Sequence, residues 1–196
     1  MLTEQQINDN YEAFKNLISD LSLSNLLHDN QIDTQQPFKE KELLKLLDNT
    51  DFKVAPYTTK YKGSYAGGLC EHCLNVFYKC LDLGMNKETA IKVGLLHDIG
   101  KVNYFEFTEF AKKIDGNWQS GYKVKDVSQR RPLGNFGFKS YLMARDFIDF
   151  TEEEIEALCN FVYISRPNDC VEILSMMEQN KLLTLLHCAD LMETYC

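Results

Sequence analysis

The sequence lacks any apolar run long enough to cross a bilayer, which takes about 20 largely apolar residues. Its first ten residues, MLTEQQINDN, have neither the basic region nor the apolar region of a secretory signal peptide. We therefore expect a cytoplasmic protein that does not associate with membranes. The chain also lacks internal repeats and low-complexity segments, so its 196 residues are expected to form a single domain, residues 1–196.

The sequence also lacks the cysteine pattern of a disulfide-bonded protein. The seven cysteines are an odd number, and most of them lie in segments with helical apolar spacing rather than in loops, which is typical of a reducing compartment. Cys70 and Cys73 form a CxxC pair around His72. No second pair follows at zinc-finger spacing and no βαβ pattern precedes the pair, so we interpret both cysteines as helix-packing residues.

Positive charge is scarce, with 21 basic against 29 acidic residues and a net charge of −8. An extended nucleic acid is therefore an unexpected partner, because its phosphates would be repelled by most of the surface. The exception is a local basic stretch made of Lys123, Lys125, Arg130, Arg131, Lys139 and Arg145. This stretch is compatible with phosphate recognition and equally with a solvated surface.

The apolar spacing predicts helices along most of the chain. Thr3 and Gln6 have the spacing of a capping box that opens a first helix, and a second helix is expected near residues 38–47. A third follows at residues 69–81. Asn86 is expected to cap a fourth helix, which Gly100 would end through a left-handed turn.

The second half of the chain predicts further helices and one pair of strands. Helices are expected near residues 138–147, from Thr151, and from about residue 181. Residues 104–124 alternate aromatic and polar side chains around the turn formers Asp115, Gly116 and Asn117, which predicts a hairpin. The predicted fold class is all-α, a helical bundle with a small accessory β-hairpin.

Two aspartates stand in otherwise apolar segments. Asp98 follows His97 in GLLHDIGK, and Asp190 lies in LLTLLHCADLM. A buried carboxylate costs roughly several kcal/mol unless a cation or hydrogen bonds compensate it. One divalent ion shared by both carboxylates, with neutral imidazoles as further ligands, would explain both positions. Adjacent side chains on a regular helix diverge by about 100°, so the helix must loosen at His97 if both residues face one ion.

Three segments, in this order, resemble the HD-domain superfamily of metal-dependent phosphohydrolases. GGLCEH is similar to the family's first-histidine segment, GLLHDIGK to its paired His-Asp motif, and LLHCADLMETY to its distant-aspartate helix. The resemblance implies an HD-type core from about residue 56 to residue 195, with helices of residues 1–50 packed on it. It also implies hydrolysis of a phosphate ester of a small molecule by metal-activated water, with a nucleotide as the expected substrate.

The resemblance also assigns the ligands of one divalent ion, for which Mn, Co, Ni, Fe, Zn and Mg are not distinguished. These ligands are His72, His97, Asp98 and Asp190. Relatives with two metals carry further histidines where this chain has Asn135 and Asn160, so a single ion is expected. His187 matches no ligand position, and like His28 it is interpreted as a structural residue.

Asp98 and Lys101 are the residues expected to take part in catalysis. Lys101 follows Asp98 by three residues and would stabilise charge on the phosphate oxygens. Lys62 and Lys139 lie beside glycine-containing loops and are expected to contact the substrate. Lys62 stands where many relatives carry a histidine. The general base is left open between Asp98, Glu71 and water activated by the metal alone.

Two other functions are compatible with the sequence. The departures at Lys62 and Asn135 allow a catalytically impaired module that binds a nucleotide or a protein partner. The basic stretch around Arg131 allows a phosphodiesterase or nuclease acting on a short nucleic acid, with a steep dependence on salt. The apolar helix faces also allow a homo-oligomer as well as a core.

Overall fold

The computed structural model describes residues 1–28, 38–60, 62–114, 117–129, 135–161 and 170–195. It describes the backbone alone at residues 22–28, 112–114 and 170–173. Several predictions lie outside the described residues. They are the linker before Phe38, the turn at Asp115 and Gly116, the basic residues Arg130 and Arg131, and the side chain of His28.

The described residues are mostly helical, with one hairpin, which confirms the predicted fold class. The helices are α1 Glu4–His28, α2 Glu40–Asp48, α3 Gly68–Asp82, α4 Lys87–Thr89, α5 Phe136–Ala144, α6 Glu152–Asn160, α7 Cys170–Gln179 and α8 Lys181–Tyr195. Short 3₁₀ turns lie at Ile99–Lys101 and Val127–Gln129. Helix α7 was not predicted from the sequence.

Three predicted helix starts have the expected capping bonds. The Thr3 N–H donates to Gln6 Oε1 at 2.8 Å, and the Gln6 N–H donates to Thr3 Oγ1 at 3.2 Å. Thr151 and Glu154 form the same reciprocal pair at the start of α6. Asn86 Oδ1 accepts the Thr89 N–H at 2.9 Å. Each bond satisfies a backbone donor that the first helical turn leaves free.

The helix predicted to run from Asn86 to Gly100 is shorter and less regular than expected. Its α-helical part ends at Thr89 and continues as a π-helical segment, Ala90–Leu95, followed by a turn that contains His97 and Asp98. The prediction of a left-handed Gly100 is wrong, since Gly100 is not among the described residues with positive φ. Its missing side chain serves packing instead, because a Cβ there would overlap the Phe136 carbonyl oxygen of α5.

The hairpin pairs β1 Phe105–Ile114 with β2 Asn117–Val124 in antiparallel register, with an irregularity between Thr108 and Lys112. Phe107 packs edge-on against Tyr122, with 5.5 Å between the ring centroids. Phe110 packs in the same way against Trp118, at 6.0 Å. These aromatic pairs therefore stabilise the predicted hairpin across its strands.

The core forms where α1, α3, α6, α8 and the π-helical segment pack together. Helix α3 is central and buries Leu69, Cys73, Val76 and Phe77. Cys70 is also buried, and burial raises the pKa of its thiol to about 12. The cysteines whose side chains are described are free thiols, so CxxC packs in the core as expected. Within the described chain, no helix has the length and apolar character of a membrane span.

Candidate metal centre

The four side chains predicted as metal ligands meet in one cluster between α3, α8 and the turn after the π-helical segment. His72 Nε2 lies 3.1 Å from His97 Nε2 and 3.2 Å from Asp190 Oδ1. Asp98 Oδ2 lies 3.4 Å from His97 Nε2 and 3.7 Å from His72 Nε2. Both histidines and Asp98 are buried, whereas the Asp190 side chain is 19% exposed. The cluster therefore opens towards solvent on the side of Asp190.

The π-helical segment determines how His97 enters the cluster. His97 Nδ1 lies 2.7 Å from the Gly94 carbonyl oxygen, which can only accept a hydrogen bond, so Nδ1 carries a hydrogen and Nε2 is the nitrogen that faces the cluster. Gly94 packs against α3, where a Cβ would come within 2.9 Å of Cys80 Sγ. The small residue thus lets the backbone that orients His97 lie close to α3.

Ser140 of α5 fixes the turn from the other side. Its Oγ donates to the His97 carbonyl oxygen at 2.6 Å and accepts the Gly100 N–H at 2.8 Å. Ser140 is almost fully buried, at 1% exposure. The sequence contained a signal for this residue, namely a polar side chain on the apolar helix FGFKSYLMA, but Ser140 was not recognised there.

The electrostatics of the cluster keep the two carboxylates ionised. Burial opposes the charged form of Asp98, but Lys101 and His97 outweigh burial and lower the pKa of this carboxyl far below its usual range. The pKa of Asp190 is also lowered, because its bond to His72 outweighs its burial. Burial lowers the pKa of His72, which favours the neutral imidazole. For His97, the Asp98 carboxylate outweighs burial and raises the pKa.

The residues of the cluster fit a divalent cation. Ligand atoms of His72, His97 and Asp190 all lie within 4.8 Å of one another. Asp98 Oδ1 is buried and has no hydrogen-bond partner among the described residues, which is costly for a carboxylate oxygen. The set combines imidazole nitrogen with carboxylate oxygen and is rich in lone pairs, as first-row transition ions prefer.

Lys101 and Tyr57 complete the cluster. The Lys101 ammonium lies 2.6 Å from Asp98 Oδ2 and 3.9 Å from the centroid of the Tyr57 ring. The same ring stacks on His72, with 3.6 Å between the centroids and 16° between the planes. Tyr57 was not predicted as a site residue, because it lies outside all three motifs, in the loop before the first of them.

The other two predicted lysines, Lys62 and Lys139, contact Glu193 and Val102. Lys62 Nζ binds Glu193 of α8, at 3.0 Å from Oε1 and 3.0 Å from the backbone carbonyl oxygen. Lys62 also lines a small pocket together with His72 and Glu71. Lys139 Nζ lies 3.5 Å from the Val102 carbonyl oxygen. Lys101, by comparison, contacts a carboxylate of the cluster directly, at 2.6 Å from Asp98 Oδ2.

The two asparagines and His187 have local contacts of their own. Asn135 caps α5, with its Oδ1 accepting the Phe138 N–H at 3.1 Å, and its amide donates to the Cys159 carbonyl oxygen. The Asn160 amide donates to Glu156 O at 2.9 Å. His187 is buried on α8, and burial lowers its pKa. Both asparagines therefore have structural contacts in the described part of the chain.

A larger cavity, here called the loop cavity, has a volume of about 310 Å³ and lies between residues 59–64 and the hairpin. Its lining carries two lysines and four hydroxyl side chains, namely Lys60, Lys123, Thr59, Ser64, Ser120 and Tyr122. Among the described residues that line it there is no aspartate or glutamate, although the chain as a whole is acidic. Lys123 also pairs with Glu106, at 3.0 Å from its Oε1. Lys60 and the hydroxyl groups are therefore the groups that the loop cavity offers to a polar ligand.

Comparison with known proteins gives one family. The family model described as "HD domain" matches residues 69–191, a range that covers more than half of the chain. All four residues of the metal cluster fall within the matched range. Neither a curated protein nor a solved structure matches the chain.

Proposed function

Because the chain belongs to the HD domain family of metal-dependent phosphohydrolases, we propose that it cleaves a phosphate ester of a small molecule and that this substrate is a nucleotide. The proposal depends above all on the buried cluster of two imidazoles and two carboxylates. Such a cluster is unfavourable in a folded protein unless a cation compensates its negative charge.

We propose that His72, His97, Asp98 and Asp190 hold one divalent ion. When bound, such an ion would lower the pKa of water from about 15.7 towards roughly 7 to 9 and would withdraw charge from a phosphoryl oxygen. The side chains of the cluster would orient the ion, and the Gly94 carbonyl would keep His97 in the required tautomer. Mixed nitrogen and oxygen ligands accept several of the first-row ions.

Lys101 and Asp98 are the residues that we propose to act in catalysis. The Lys101 ammonium is held beside Asp98 Oδ2 and is only 13% exposed, so its positive charge acts where little water screens it. From there it would stabilise negative charge that develops on the phosphate oxygens. Asp98 would contribute to the ion site through its carboxylate, whose Oδ2 lies 3.4 Å from His97 Nε2 and 3.7 Å from His72 Nε2.

The choice of a nucleotide is supported by the loop cavity. Its volume of about 310 Å³ is within the range of small-molecule sites, and its lysines and hydroxyls suit phosphate and sugar groups. Tyr57, Lys62 and Gly63 line the small pocket at His72, and their neighbours Thr59, Lys60 and Ser64 line the loop cavity. A nucleotide with its phosphate at the cluster would place its other polar groups in the loop cavity. It would then contact both the small pocket and the loop cavity.

A panel of nucleotides tests the function. We expect inorganic phosphate to be released from at least one nucleotide when Mn²⁺, Co²⁺, Ni²⁺ or Mg²⁺ is added, and release to stop with excess chelator. The measurement is a phosphate assay on the purified chain, with each nucleotide and each ion tested separately. Asp98→Asn protein serves as the control for contaminating phosphatases.

Other outcomes of the panel would support the alternative functions. Ligands that raise the melting temperature without being cleaved would indicate a binding module. Cleavage of short oligonucleotides, with a rate that falls steeply as salt rises, would indicate a nuclease. Either result would contradict the proposed phosphohydrolase activity on small molecules.

Lys62 and Lys139 are proposed to contact the substrate rather than to act in the chemical step. Replacing either one by glutamine is expected to raise KM by about tenfold and to change kcat much less, because a charged hydrogen bond to a phosphate contributes about 1.5 to 3 kcal/mol. Steady-state kinetics measure both constants. Lys79→Gln is the control, since Lys79 pairs with Asp82 at the end of α3. A fall in kcat at constant KM would contradict this assignment.

A further inference from the structure

Tyr57 contacts groups from three parts of the metal centre. Its ring stacks on His72 of α3, with 3.6 Å between the ring centroids, and the Lys101 ammonium lies 3.9 Å from the centroid of the same Tyr57 ring. Its hydroxyl oxygen lies 3.5 Å from Asp190 Oδ1 and 3.4 Å from Thr194 Oγ1, both on α8. The proposed catalytic residues and the proposed ligands thus share one aromatic neighbour.

The loop that carries Tyr57 is anchored close to the ring. The Tyr57 N–H donates to the Gly63 carbonyl oxygen at 2.8 Å. Gly63 has a positive φ of 82°, and a Cβ at this residue would lie 2.8 Å from Tyr57 Cβ. The loop therefore closes tightly behind Tyr57, so that the ring is held against His72 by the backbone as well as by its own contacts.

The ring and the hydroxyl differ in what they contribute. The ring distances are short for stacking and for a cation over an aromatic face, and such contacts strengthen when they are shielded from water. The hydroxyl distances are long for O–H donors, whose usual range is about 2.5 to 3.0 Å. The positioning therefore depends on the ring, whereas the hydroxyl adds little.

We propose that Tyr57 is a positioning residue, whose ring fixes the plane of the His72 imidazole and holds the Lys101 ammonium beside Asp98. This inference rests on the proposed metal site, and it extends that site to a residue outside the matched range 69–191. The ring orients a ligand in the same way as the hydrogen-bonding groups behind other metal-binding histidines, whose loss weakens metal affinity by about 10- to 100-fold.

Binding of Co²⁺ to the purified chain tests this role without any need for turnover. We expect Tyr57→Leu to weaken Co²⁺ binding by about tenfold or more and to change the visible absorption spectrum of the bound ion. Tyr57→Phe keeps the ring and is expected to remain within about threefold of the original affinity. The measurements are titration calorimetry and absorption spectroscopy, both on protein freed of metal.

Phe14→Leu is the matched control. Phe14 is a fully buried aromatic residue of α1 that packs on Phe52 at 4.7 Å, so this change lowers stability without touching the cluster. Phe14→Leu is expected to lower the melting temperature and to bind Co²⁺ like the unchanged chain. The inference is overturned if Tyr57→Leu keeps the original affinity and spectrum, or if Phe14→Leu weakens binding by as much.

The contact with Lys101 is tested separately, at saturating Co²⁺. Tyr57→Leu is expected to lower kcat several-fold, in addition to its effect on Co²⁺ affinity. Lys101→Met is expected to lower kcat by a smaller factor in a chain that already carries Tyr57→Leu than in the unchanged chain, because the two changes remove one shared contact. Purely additive effects would contradict the coupling. A chain that binds Co²⁺ but cleaves no ester would overturn the proposed function, while the affinities would still decide the role of Tyr57.

Discussion

Replacing Asp98 by asparagine is expected to abolish both metal binding and phosphate release. The change keeps the shape of the side chain but removes the charge that lies 3.4 Å from His97 Nε2 and 2.6 Å from Lys101 Nζ. A neutral amide is a weak ligand beside imidazole and carboxylate. We expect kcat/KM to fall by at least about 1,000-fold, because the loss includes both the ion and the position of Lys101.

Elemental analysis and the phosphate assay measure the two effects together. Protein purified with Asp98→Asn should contain no stoichiometric divalent ion, and added Mn²⁺ or Co²⁺ should not restore turnover. Cys70→Ala is the control, since Cys70 is buried two residues before His72 but faces the core as a neutral thiol. This variant is expected to keep its metal and its activity. Retained turnover in the Asp98 variant would disprove the proposed mechanism.

Replacing Gly137 by alanine is expected to give the largest loss of stability. Gly137 lies in α5 where this helix meets α6, and an added Cβ would overlap the Leu158 carbonyl oxygen and approach the Phe161 ring to 2.7 Å. Backbone cannot yield as a flexible side chain can, so we expect the free energy of unfolding to fall by about 3 to 5 kcal/mol. Urea denaturation followed by circular dichroism measures this free energy.

Gly137→Ala is also expected to disturb the candidate metal centre. Phe161 packs edge-on against His97, with 5.2 Å between the ring centroids, so a displacement of α5 from α6 would move a neighbour of His97. Gly121→Ala in β2 is the control, where the added Cβ would meet only Ala111 Cβ, at 3.3 Å. We expect this change to alter stability by less than about 1 kcal/mol. Equal losses for the two variants would disprove the packing argument.

Local features of the structure could be predicted because their causes lie within a few residues. The capping pairs at Thr3 and Thr151 and the cap at Asn86 each join residues three positions apart. The hairpin follows from alternating side chains around turn formers. The backbone conformation of Gly100 was predicted wrongly because its cause is not local. The close contact that its missing side chain permits is with Phe136 of α5, which is distant in sequence.

The sequence by itself determined the helical fold class, the family and the four residues proposed to bind the ion. Each of these depends on side-chain type, spacing and order, and a carboxylate in an apolar segment signals its need for a partner wherever the chain folds. The three motifs were therefore sufficient to identify His72, His97, Asp98 and Asp190 before their distances were known.

Only the tertiary structure decided what surrounds those residues. It brought Tyr57 against His72, Ser140 against the His97 carbonyl and Lys62 against Glu193, pairs that are 15, 43 and 131 positions apart. Even where a segment gives a signal, as the polar Ser140 does on an apolar helix, it does not indicate which distant residue the side chain contacts. Contacts of this kind depend on how the helices pack, because packing determines which distant surfaces meet.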